Sequence, residues 1–134
     1  VDNAVAGGGC WMIRFRDGWM DYEIMVHELT HLIIDASKGL EYSFQSGALN
    51  ESYADVMAVV ADRQDGDLNW TLGENRTSGA GQLRNIEDPQ LSVTAQPVLA
   101  TQYDAGAVQA DGSWPDSGGV HRNSGIPNRA AFLM

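Results

Sequence analysis

Cysteine is almost absent from this 134-residue chain: Cys10 stands alone, so no internal disulfide can form and cysteine usage leaves the redox compartment open. Nothing beside Cys10 marks it as an activated thiol. Long apolar runs are missing as well. No stretch approaches the roughly 18 residues that a membrane span requires, which argues against a membrane partner. No basic start followed by an apolar stretch marks a signal peptide in these residues. Basic residues are scarce, 8 against 18 acidic, for a formal net charge of −10. Phosphate recognition needs clustered Lys and Arg, so nucleic acid is not expected as a partner. An acidic balance suits cations, calcium among them, although most such carboxylates simply solvate a surface. The length allows one domain or less, and 43% apolar residues suffice for a core.

Histidine is scarce too, three in all, yet two of the three stand four residues apart in His27-Glu28-Leu29-Thr30-His31. Residues four apart on a helix lie on one face, one above the other, so both rings can converge on one ion. Glu28 lies about 100° round the helix from His27, poorly placed as a ligand and well placed to reach a bound water. Glu51, within Gly47-Ala48-Leu49-Asn50-Glu51, offers a third ligand. Two imidazoles, one carboxylate and an open fourth position make a catalytic rather than a structural zinc arrangement. Asp55 follows Glu51 by one helical turn and is placed to accept a hydrogen bond from a ligand histidine, which fixes the imidazole tautomer.

The carrier elements follow from periodicity and punctuation. Residues 21–38 read as a helix, with Asp21 as N-cap and Gly39 as its stop. Its apolar residues, from Ile24 to Ile34, run almost all round, as in a helix set inside a larger molecule. Residues 39–48 read as a loop containing Tyr42, and a second helix is expected from Leu49 to Arg63. Gly7-Gly8-Gly9 and Asp17-Gly18 are turn signals, and Trp11 to Phe15 reads as a short strand. Residues 64–120 are polar with scattered Gly and Pro, too long for an ordinary connection, and should hold short helices or ion-organised loops. A last helix is expected near Ile126, with Pro127 in its first turn. No internal repeat is visible.

These segments, in this order, resemble the thermolysin-like neutral metallopeptidases. The resemblance runs through His27–His31, Gly47–Asp55, Gly39-Leu40-Glu41-Tyr42, Asn69–Glu74, Leu83-Arg84 with Asp88-Pro89, and Asp116-Ser117-Gly118-Gly119-Val120-His121-Arg122-Asn123-Ser124-Gly125-Ile126. It implies an α+β fold, mainly helical here, with residues 1–20 ending a β-rich amino-terminal lobe. Residues 21–134 would hold the zinc helices and begin a helical carboxy-terminal lobe. By the same resemblance His27, His31 and Glu51 bind one zinc ion, Glu28 is the general base and Asp55 partners a ligand histidine. His121 and Tyr42 stabilise the oxyanion, Asp116 orients His121, and Arg84 and Asn3 hold the substrate backbone. Val5 and Ala6 replace the bulky aromatics usual just after the segment of Asn3.

The family cleaves before bulky apolar residues, which implies a side-chain pocket walled by Ile24, Leu72 and Leu83, with Arg76 near a usual apolar wall position. Asp62 and Glu74, with Glu23, remain of the family's acidic calcium site, while Asn69 and Thr71 occupy carboxylate positions; one calcium ion is the most this set suggests. The resemblance further implies a peptide or protein substrate and secretion, and a chain that is an internal segment of a longer gene product. Two alternatives stay open at this point: a zinc aminopeptidase, and a metal- or peptide-binding remnant without turnover.

Overall fold

The computed structural model describes residues 4–7, 11–37, 39–64, 69–79 and 81–134. Asn3 and Cys10 lie outside them. The fold is mainly helical, with a short strand pair at its amino-terminal end. Strands β1 (Ala4–Gly7) and β2 (Met12–Phe15) pair antiparallel, Ala4 opposite Phe15 and Gly7 opposite Met12.

Helix α1 spans Tyr22–Ala36. Asp21 caps it as expected, in extended geometry and with its side chain accepting from the Glu23 backbone N–H at 3.4 Å. At the other end the Gly39 N–H donates to the Ile34 carbonyl at 3.0 Å, and a Cβ on Gly39 would stand 2.5 Å from that oxygen. The all-round apolar pattern of α1 divides into two faces. Ile24 and Leu32 are buried, whereas Met25, Leu29 and Ile33 are exposed.

Helix α2 runs Phe44–Gln64 and begins five residues before the expected Leu49. Gly47 had the look of a loop residue; its actual role is a close approach, since a Cβ there would stand 2.4 Å from Val120 Cγ1. Ala48, Ala54 and Ala58 are buried along the same helix, and small side chains of this kind let neighbouring helices draw near. The core cluster joins Ala4, Ile24, Ala58, Val59, Leu72 and Ile86, one or two residues from each of several elements.

The long polar stretch holds a two-residue pair, β3 (Thr71–Leu72) with β4 (Arg84–Asn85), and two single 3₁₀ turns at Pro89–Leu91 and Ala100–Gln102. Helix α3 (Asp116–Asn123) opens with four left-handed residues, φ 50° at Asp116 and Ser117, 85° at Gly118 and 80° at Gly119. Glycine takes this conformation freely, whereas Asp116 and Ser117 adopt it at a cost of about 1–2 kcal/mol each. Asp116 is held there by what it bonds: its Oδ2 accepts from the backbone N–H of His121 at 3.0 Å and of Arg122 at 3.2 Å. Helix α4 spans Gly125–Leu133, with Pro127 in its first turn as expected. Among the described residues no helix is long and apolar enough to cross a membrane.

Candidate metal centre and active site

The one-turn spacing on α1 places His27 Nε2 and His31 Nε2 3.0 Å apart. Helix α2 brings the Glu51 carboxylate against both, Oε1 3.3 Å from His31 Nε2 and Oε2 3.6 Å from His27 Nε2. Tetrahedral zinc with bonds of about 2.0–2.1 Å separates its ligand atoms by about 3.3 Å. The spacing observed here fits that ion. Among the described residues His27, His31 and Glu51 alone bring three such donor atoms within 4.8 Å of one another.

Each outer ring nitrogen faces an oxygen. His31 Nδ1 stands 2.7 Å from Asn50 Oδ1, and His27 Nδ1 3.0 Å from Asp55 Oδ1. Asn50 holds the His31 proton on Nδ1, since its amide nitrogen is itself turned to the Leu40 carbonyl, and both Nε2 atoms are left facing the Glu51 carboxylate.

Charge balance around Glu51 is dense. Burial opposes its ionisation, yet Arg84, His31, His27 and His121 outweigh burial and hold its carboxyl well below the usual range. Arg84 Nη2 lies 3.0 Å from Glu51 Oε2, while its Nη1 donates to Asp55 Oδ1 in a short bond. Asp55 is likewise lowered against its own burial, chiefly by Arg84 and His27. Its second oxygen accepts from Asn128 Nδ2 on α4 at 2.8 Å.

Glu28 lies beside this cluster, buried but facing the same cleft. Burial raises its pKa, His27 and His31 work against that, and Glu51 adds to it. Tyr42 donates to Glu51 Oε1 in a short bond and lies 3.1 Å from His121 Nε2. Asp116 takes His121 Nδ1 in another short bond. Burial would lower the His121 pKa, but Asp116 and Glu51 carry it above its ordinary value. The cleft, of about 380 Å³, is lined by Glu28, Tyr42, Arg84 and His121, and by Ile24, Leu72 and Leu83.

Arg76 does not line it. Its guanidinium bonds the Gly73 carbonyl at 2.9 Å and the Ser78 carbonyl at 2.8 Å, and lies 5.2 Å from the Trp19 ring centroid. Asp62, Glu74 and Glu23 do not assemble as a set of three donors. Glu74 Oε1 instead accepts from Asn69 Nδ2 and Thr71 Oγ1, both at 2.6 Å, so residues standing at acidic positions now serve as donors. Glu23 Oε2 accepts from the Gly73 N–H at 2.8 Å.

Three supporting residues were not expected from sequence: Asn50, Asn128, and Gln96, whose amide donates to the His121 carbonyl at 2.5 Å and to Ser124 Oγ at 3.1 Å. Asn50 stood beside Glu51 in the motif. Asn128 and Gln96 carried no signal in the sequence.

A helix bearing two imidazoles, a neighbouring helix bearing a carboxylate, and an acid beside the first imidazole define the zinc metallopeptidase type of fold. Residues 38–134 match the family described as thermolysin metallopeptidase, alpha-helical domain, and the chain belongs to that family. It is 44% identical over 112 residues to a zinc metalloproteinase of Listeria monocytogenes, covering 81% of this chain and 20% of that protein. It is 42% identical over 115 residues to neutral protease B of Bacillus subtilis, covering 84% and 19%. Against a gelatinase of Enterococcus faecalis the identity is 39% over 114 residues, covering 84% and 21%. The chain thus spans about a fifth of the length of these curated relatives. Among solved structures, the precursor of protealysin, a metalloproteinase from Serratia proteamaculans, superposes with a TM-score of 0.71 at 29% identity, covering 97% of this chain and 45% of that one.

Proposed function

We propose that this chain carries the catalytic centre of a secreted zinc endopeptidase that acts on peptides or proteins. The observation that carries the reading is the meeting of His27, His31 and Glu51 within 4.8 Å, with Glu28 in the same cleft. When bound, zinc lowers the pKa of a coordinated water from about 15.7 toward 7 and polarises the scissile carbonyl. Glu28 accepts the proton of the attacking water and then delivers it to the departing amine, a base that becomes an acid. Its raised pKa suits the second half of that cycle. Tyr42 Oη, which here donates to Glu51 Oε1, and His121 Nε2, 3.1 Å from it, turn to donate to the negative oxygen of the former carbonyl. Asp116 aims His121 and favours its charged form.

Arg84 offers the substrate backbone the N–H edge not committed to Glu51 and Asp55. Asn3, assigned by resemblance and outside the described residues, is proposed to hold the peptide backbone. Ile24, Leu72 and Leu83 support selection of a bulky hydrophobic residue after the cleaved bond. We keep residues 1–20 as the end of a β-rich lobe and 21–134 as the start of a helical one. The test is a peptide blocked at its amino terminus, incubated with zinc, with a chelator, and with zinc restored. Internal cleavage that the chelator abolishes and zinc recovers is expected. Cleavage only of unblocked peptides would favour an aminopeptidase, and no cleavage at all would refute the assignment.

Calcium belongs to the same proposal, limited to one ion between Glu23 and Glu74, with Asp62 adding negative charge nearby. Glu23 Oε1 and Glu74 Oε2 are buried with no hydrogen-bond partner among the described residues, which suits a cation. The competing occupant is a proton. Burial, with Glu74, Asp21 and Asp62 nearby, pushes Glu23 up to about 8 from an ordinary 4.5. For an acid raised on folding, the stabilisation is fully present below the unfolded value and is lost as pH rises through the folded value. Thermal stability of the wild type is therefore expected to fall across roughly pH 5 to 9 relative to a Glu23→Gln variant, whose amide is neutral throughout. Above pH 8, added calcium should raise the melting temperature of the wild type and leave that of the variant unchanged. Two calcium-insensitive melting curves would exclude the ion.

A further inference from the structure

We propose that Trp19 is the residue that sets side-chain selectivity in this cleft, favouring aromatic substrate side chains, and that Arg76 positions it. The inference rests on the endopeptidase reading and goes beyond it. Trp19 lies in the turn between β2 and α1, where its N–H bonds the Arg16 carbonyl at 3.0 Å and its ring packs against the core cluster. One surface of the residue lines the 380 Å³ cleft that holds Glu28, and another lines a neighbouring cavity of about 270 Å³. Leu83, Arg84 and His121 border both spaces as well. Among the described residues, Trp19 is thus the one large apolar ring that borders both adjacent spaces, His121 being an imidazole committed to Asp116. Successive side chains of an extended peptide would meet it from both.

The ring is held before any substrate arrives. The Arg76 guanidinium stands 5.2 Å from its centroid and is itself pinned by the Gly73 and Ser78 carbonyls. Ser78 N–H in turn bonds the carbonyl of Gly18, the residue before Trp19, at 3.0 Å. Gly73, next to the cleft wall Leu72, is tied to α1 through Glu23. Loop, tryptophan and zinc helix are therefore one linked unit. An indole fixed in this way presents a flat apolar π-surface, which pairs best with another ring in offset or edge-on geometry. The cationic residue at position 76 thereby acts through Trp19 instead of lining the cleft.

The test measures kcat/KM on matched blocked peptides that differ only in Phe, Leu or Ala after the cleaved bond. The readout is the Phe-to-Ala ratio within one preparation, which cancels any loss of folded protein. Wild type should prefer Phe. Trp19→Ala should cut the ratio about 10- to 100-fold, the range one apolar contact surface commands. Trp19→Phe should keep most of it, and Arg76→Met should lower it partway. A wild type that cleaves with Phe preference and a Trp19→Ala variant that keeps that ratio within twofold would overturn the proposal. An Arg76→Met ratio equal to wild type would overturn the positioning role. A wild type that cleaves none of the peptides would refute the endopeptidase reading itself, a result separable from either.

Discussion

Replacing Glu28 by Gln is expected to lower kcat/KM on a blocked peptide by about 10²- to 10⁴-fold while leaving the zinc content unchanged. The amide has the size and shape of the carboxylate, so packing in this buried position is conserved. It cannot accept a proton. The lost factor corresponds to about 3–5 kcal/mol of transition-state stabilisation. Zinc retention follows because His27, His31 and Glu51 supply the donor set without Glu28. The pH profile gives a second readout. Burial raises Glu28 above its ordinary 4.5, so the acid limb of kcat/KM should begin above that value and be missing from the residual activity of the variant. Metal analysis beside steady-state rates decides the matter: equal rates for the two proteins would remove Glu28 from the chemistry.

The contrast between Glu28 and its neighbours explains what a sequence can disclose. His27 and His31 were legible because helical geometry alone stacks residues four apart. Glu51 and Asp55 came from a second helix, on which they stand one turn apart, and the structure sets both against those rings. The pairing of Asp116 with His121 was visible only through family likeness. Its physical basis is four consecutive left-handed residues, an arrangement no propensity argument would assign to Asp116 and Ser117. Asn50, Gln96 and Asn128 act across separations of 19, 25 and 73 residues. Such contacts leave no periodic trace, and amides carry no motif of their own.

The fold divides along the same line. Helix α1 was readable from its cap and stop, because these are local chemistry. The start of α2 was not, because Gly47 is required by Val120, far along the chain, and imitates a loop residue when read alone. The stretch between α2 and α3 resisted reading because its regular pieces, among the described residues, are two or three residues long and are held by distant partners. The Leu83 N–H bonds the Leu72 carbonyl, and the Ile86 N–H bonds the Trp70 carbonyl, each at 2.7 Å. Arg76 shows the limit of positional likeness. Its place in the sequence pointed to the cleft wall, whereas its guanidinium found two carbonyls and an indole.

Arg84→Met is expected to destabilise the protein by about 3–5 kcal/mol, because it leaves two buried carboxylates without their common cation. Glu51 and Asp55 have side chains of 0% exposure, and Arg84 supplies the largest attraction that outweighs burial at each. A role confined to gripping substrate would raise KM and leave thermal unfolding untouched; the ion-pair geometry predicts a large fall in melting temperature as well. The pH dependence has a definite sign. Both carboxyls are depressed on folding, so their stabilisation is present above the unfolded values, 4.5 and 3.8, and is lost as pH falls through the folded ones. Without Arg84 that gain shrinks, so the variant should differ most from wild type near neutrality and converge with it in acid. Zinc, a second cation on Glu51, should offset part of the loss, and the deficit should therefore widen when a chelator is present. Arg84→Lys keeps the charge but not the planar fork that reaches both acids, and should fall between the two. Melting curves of the three proteins, with and without chelator, would show all of this. Identical midpoints for wild type and Arg84→Met would mean that substrate, and not Glu51 and Asp55, is the partner that matters to Arg84.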